Sequence, residues 1–182
     1  MIASFGLLHD QPILVIGAMV VGPEFGPLAG LCVALIQRRA GEARRSLAAL
    51  VIGFPVAMAA TILLTWLLTA LGLADESMLH APRPKTAFIY QPDVLSFVTA
   101  FLAGIAGMLS LTSAKSGALV GVLISVTTVP AAANVAVALA YADAGEAGGS
   151  AGQLAINLAG IVVAGSLTLL VQQQAWRRLP SG

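Results

Sequence analysis

Glu24 is the one charged residue within five long apolar stretches, and it stands among residues that disrupt helices: Gly22, Pro23, Gly26 and Pro27 in "GAMVVGPEFGPLAG", Gly17 to Gly30. A carboxylate in hydrocarbon costs roughly 2.5–3.5 kcal/mol on insertion scales, so it must face a wet cavity, meet a donor or carry a proton. Each proline removes a backbone donor and clashes with the preceding turn, while the glycines tolerate non-helical dihedrals. The helix is expected to unwind from Gly22 to Pro27 and to turn its freed backbone groups toward protein, water or a ligand. The chemistry on offer is solute binding and proton exchange. The bland alternative is a hydrated re-entrant turn.

A second stretch echoes the first. "GAMVVGPEFGPLAGLCVAL" (Gly17 to Leu35) aligns without gaps on "GVLISVTTVPAAANVAVAL" (Gly121 to Leu139), and both begin with glycine and end in Val-Ala-Leu. The second copy offers Ser125, Thr127, Thr128 and Asn134 as side-chain donors and acceptors, with Pro130 as its breaker. A lone proline often makes only a kink, but the Pro-Glu-Phe-Gly-Pro cluster points to a break lining a cavity.

The elements that position these residues follow from composition. The 182 residues are 58% hydrophobic and 9% charged, with mean hydropathy +0.94, whereas soluble domains are about a quarter charged. A single all-α transmembrane domain is expected. Its five spans fall near 11–36, 46–73, 94–111, 117–141 and 151–171, joined by an exposed, partly extended external loop at 74–93 that could cover an entrance. Seven of the nine basic residues, Arg38, Arg39, Arg44, Arg45, Lys115, Arg177 and Arg178, fall on one side of that arrangement. The positive-inside rule makes this side cytoplasmic, with the C-terminus. Copies that cross the membrane in opposite senses form an inverted-topology repeat, the plan of many secondary transporters.

Other features are weaker. Thr112, Ser113, Lys115 and Ser116 lie at a cytoplasmic helix start on the same side as Arg38 and Arg39, an alternative site for a phosphorylated ligand or nucleotide. The glycine spacing of a P-loop is absent. "GGSAG" (Gly148 to Gly152) reads as a flexible turn rather than a nucleophile elbow. His9 and His80 lack metal-ligand spacing, no catalytic constellation stands out, and neither a metal nor a cofactor is expected. Cys32, the single cysteine, should be a small buried hydrophobe. Small residues at Ala100/Gly104, Ala103/Gly107 and Gly160/Ala164 predict closely packed helices, within the chain or between copies of a homo-oligomer. Asn157 is expected to hydrogen-bond across helices. The net charge of +1 gives no sign of a nucleic-acid partner; membrane lipid and a small polar or anionic ligand are the expected ones.

"GLLHDQPILVIGAMVVGPEFGPLAG" together with "LSLTSAKSGALVGVLISVTTVPAAANVAVALA" resembles the two signature regions of the bacterial membrane family termed domain of unknown function 389. The resemblance implies the bacterial inner membrane and a further membrane helix, of which "IASFGLL" corresponds to the end and which would complete a 3+3 arrangement. It implies no established reaction. The family pattern has Ser before the first proline and an apolar residue after it, where this chain has Gly22 and Glu24; its proline pair is here Val129 and Pro130.

Overall fold

The computed structural model describes residues 1–22, 24–83, 85–86, 89, 94–112 and 128–178, without the side chains of 177 and 178. The described secondary structure is helical: α1 Ile2–Leu8, α2 Pro12–Val21, α3 Phe25–Ile36, α4 Ala40–Ala70, α5 Glu76–His80, α6 Val94–Thr112, α7 Thr128–Ala140 and α8 Ala144–Arg178. Helices suit a hydrocarbon surround because each satisfies its own backbone.

Three helices, α4, α6 and α8, are long and apolar enough to cross a membrane. The α2–α3 pair, bent by 49° at its break, adds a fourth if counted as one span. α7 is apolar but shorter, and the residues before it that the sequence assigns to a span beginning at 117 lie outside the described residues. Many large apolar side chains point outward, including Ile13, Val21, Ile52 and Leu63. In water such a surface would drive association, whereas lipid accepts it.

Three readings of the sequence need correcting. The break is narrower than Gly22–Pro27: α3 begins at Phe25, so Gly26 and Pro27 sit in its first turn. Proline is tolerated there because first-turn amides have no intrahelical partner to lose. "GGSAG" is helical, since α8 starts at Ala144 and runs through it; its glycines are outweighed by the packing of α8 on α6, α7 and α3. The segment after α4 is also more than an exposed loop. Asp75 caps α5, its carboxylate accepting from the Met78 amide at 3.1 Å and from the Ser77 hydroxyl, and Leu79, Arg83, Thr86 and Ile89 are buried.

The connections α3–α4 and α7–α8 have the same construction. Arg38 and Ala142 both take left-handed backbone, with φ of 55° and 60°. Around each, the same amides bond the same carbonyls: Gln37 to Val33 and Tyr141 to Val137, Arg38 to Leu35 and Ala142 to Leu139, Arg39 to Ala34 and Asp143 to Ala138. This is a Schellman ending, which satisfies the last carbonyls of the preceding helix. Every equivalent pair is 104 positions apart, the separation of Glu24 from Thr128.

The two turns sit at opposite ends of α4. The first leads directly into its N-terminus. Beside the second, the Trp66 indole donates to the Ala140 carbonyl at 3.0 Å, and the hydroxyls of Thr69 and Tyr141 are 2.8 Å apart, close to the C-terminus of α4. Within α4, Thr61, Thr65 and Thr69 each donate to the carbonyl four residues back, so their hydroxyls need no water.

Candidate functional site at the helix break

The break between α2 and α3 opens on a cavity of about 420 Å³. Gly22, Glu24 and Pro27 form one wall, α4 another through Leu50, Gly53, Phe54, Ala57 and Thr61, and α7 a third through Val129, Ala132 and Ala133; Met1 lies at the edge. The lining is almost wholly apolar, so Glu24 dominates its electrostatics.

Glu24 is held across the molecule. The Thr128 hydroxyl donates to its Oε1 at 3.0 Å, while Oε2 is buried with no hydrogen-bond partner. Gly22 makes the carboxylate's placement possible: a Cβ there would collide with Glu24 Oε2 and lie 2.8 Å from Val129 Cγ2. A side chain at this position would therefore displace the Glu24 carboxylate or the Val129 side chain. Glu24 and Thr128 are also the residues that the gapless alignment sets opposite each other. The first half of the echo thus meets the second at equivalent positions.

Other residues singled out from the sequence are dispersed. Pro130 is buried. Asn134 is fully buried and faces away from Glu24, toward Arg83, Glu146 and Ser150. Pro23, Ser125 and Thr127 lie outside the described residues. At the opposite end, Arg38 and Arg39 are exposed, and Arg39 pairs with Glu42 at 3.2 Å. Thr112 donates to the Met108 carbonyl at 2.9 Å and accepts from Gln172 at 2.8 Å. Ser113, Lys115 and Ser116, the rest of the alternative anion site, lie outside the described residues. Cys32 is buried, as its apolar surroundings imply. The small-residue pairs form a seam inside the chain: a Cβ on Gly104 would lie 2.9 Å from Ala164 Cβ, and one on Gly160 3.0 Å from Ala100 Cβ.

A second polar group escapes sequence reading. Arg83, in the loop, reaches Glu146 at 2.5 Å and donates to the Asn134 side-chain carbonyl at 3.3 Å. Asn134 in turn donates to Glu146 at 2.7 Å and to the Ser150 hydroxyl at 2.8 Å. Asn157, expected to bond across helices, accepts from Gln153 within α8 at 3.3 Å. The loop is tied down again where the Thr86 hydroxyl donates to Asp10 at 2.9 Å. The fold also brings His80, Asp143 and Glu146 together, with ligand atoms within 4.8 Å of one another, although His80 lacks any sequence spacing to such partners. Arg83 and Asn134 already hold Glu146, so a metal ion there would have to displace a cation. The detectable signal for the polar group was the four-three-four spacing of Glu146, Ser150, Gln153 and Asn157 on one helix face.

The match to a family model decides the relationship. It covers residues 19–163, described as a domain of unknown function. The chain belongs to the DUF389 family. No curated relative and no solved structure matches it. The matched region includes the first half of the echo from Met19, the whole of the second, α4, α6 and most of α8.

Proposed function

We propose that this DUF389 protein is a transporter or channel-like protein of the bacterial inner membrane, built on an inverted-topology repeat, that binds a small polar or anionic solute at its paired breaks. The observation that carries the reading is the Glu24–Thr128 hydrogen bond between residues occupying the same position in the two repeats. A two-fold axis in the membrane plane brings equivalent residues together only where it passes between them, and in such proteins the solute site lies at that interface. The α3–α7 pair then represents two of the broken crossings, and the distribution of basic residues supports a cytoplasmic C-terminus.

Glu24 sets the terms of binding. An ionised carboxylate in an apolar cavity repels anions, so entry of an anion requires Glu24 to take up a proton first. A neutral polar solute can instead use the carboxylate as an acceptor.

The deciding experiment is flux of labelled polar and anionic solutes into proteoliposomes over a range of pH. Transport that loses its pH dependence in Glu24→Gln supports the reading; an unchanged profile and unchanged binding in that variant would remove Glu24 from the mechanism. If ligand binding occurs without flux for any solute and weakens on Lys115→Ala, the protein is instead a membrane-embedded sensor that holds a nucleotide or phosphorylated ligand at its cytoplasmic face. Assembly as a homo-oligomer fits the apolar outer surface.

A further inference from the structure

Away from the breaks, buried polar side chains gather along one face of α8. Ser150, Gln153 and Asn157 are each at most 2% exposed, Glu146 stands above them, and fully buried Asn134 of α7 faces them. Burying an amide without satisfying it costs about 1–3 kcal/mol, and Gln153 Oε1 has no hydrogen-bond partner. Such a column needs a reason.

The repeat supplies an internal control. At the same offset of 104 positions, Asn134, Gln153 and Asn157 correspond to Gly30, Ala49 and Gly53. Glu146 and Ser150 correspond to Glu42 and Ser46, which are chemically identical. The same turn and the same pair of helices form with glycine and alanine at the three positions, so the fold does not require amides there. Their presence in one copy alone marks a site. Of the oxygens here, Glu146 Oε1 and Asn134 Oδ1 accept from Arg83, Ser150 Oγ accepts from the Asn134 amide and Gln153 Oε1 has no hydrogen-bond partner, while the Asn134 and Gln153 amide groups donate within the column. This set of oxygens suits a small cation. At the outer end a cation already occupies it, the Arg83 guanidinium, delivered by a loop segment that Asp10 anchors through Thr86.

We propose that the α7–α8 column is a binding site for a small monovalent cation, with Arg83 as a tethered occupant that competes for Glu146 and Asn134. Release of the loop from Asp10 withdraws Arg83 and opens the column from the side bearing the C-terminus of α4. This site is separate from the cavity at Glu24, and its test does not depend on transport.

The test uses the full chain in detergent. Arg83→Ala lowers the thermal midpoint, and millimolar guanidinium, well below denaturing concentrations, restores it. Sodium or potassium restoring it instead identifies an inorganic ion as the ligand. Adding Glu146→Gln abolishes either rescue. Arg39→Ala, which removes the exposed pair at the equivalent turn, shows no rescue. If none of the three cations raises the Arg83→Ala midpoint more than that of Arg39→Ala, the proposal is overturned. A second measurement leaves Arg83 in place: in a Cys32→Ser background, Ser150→Cys should react at least about tenfold faster with a cationic thiol reagent than with an anionic one of equal size. Equal rates overturn the proposal even if Arg83→Ala fails to fold.

Discussion

The hairpins α3–α4 and α7–α8 share one backbone plan and have different interiors. Both end their first helix in a Schellman turn around a non-glycine residue at positive φ, Arg38 in one and Ala142 in the other. In the first, Ala49 and Gly53 of α4 line the cavity at Glu24, and Gly30 packs closely against Ser46. In the second, Asn134, Gln153 and Asn157 fill the equivalent positions with amides. Coverage differs too. Less of α4 than of α8 is buried within the described chain, and α6 packs closely along α8. Backbone hydrogen bonding thus tolerates large changes in what the helices enclose.

The largest expected effect tests the filled half. Arg83→Ala leaves Glu146 buried without its charge partner and should cost about 3–5 kcal/mol, measured as unfolding of the detergent-solubilised protein; Arg39→Ala, at the exposed equivalent pair, should change stability by less than about 1 kcal/mol. Equal effects would erase the distinction between the two interiors.

Packing gives the next contrast. Gly104→Ala forces a methyl against the Ile161 carbonyl at 2.9 Å and should destabilise by about 1–3 kcal/mol. Gly53→Ala meets nothing within 4 Å and should be neutral or stabilising by up to about 1 kcal/mol. A costly Gly53→Ala would mean that α4 is covered by something that α8 is not.

The shared turn makes a prediction of similarity. Ala142→Gly and Arg38→Gly each relieve left-handed strain, and both should stabilise by the same small amount, under about 1 kcal/mol. Opposite signs at the two turns would break the equivalence.

The smallest effect lies in the loop between the halves. Hydrogen bonds from Ser77 and then from the Met78 amide hold the Asp75 carboxyl below its usual range. A lowered folded pKa stabilises above the unfolded value and is lost as pH falls through the folded one. Hydrogen exchange at Met78 should therefore stay slow at neutral pH and accelerate only in acid below the ordinary carboxylate range. Acceleration already near neutral pH would mean that Asp75 does not cap α5.

The gapless match of 17–35 on 121–139 already paired Glu24 with Thr128, because a repeat keeps its register in the chain. Apolar length gave α4, α6 and α8, since a hydrocarbon solvent enforces long unbroken runs. Proline and glycine located the break but overstated its width, because local breakers cannot reveal that α3 resumes as early as Phe25. Tertiary structure alone decided the rest. No local pattern shows that Arg83 leaves its loop to meet Glu146, that Gly22 is glycine to make room for the carboxylate two residues on, or that Asn134 turns from the break toward α8. Those outcomes depend on which helix faces come together, and burial then makes each unpaired polar group too costly to leave where the sequence alone would have placed it.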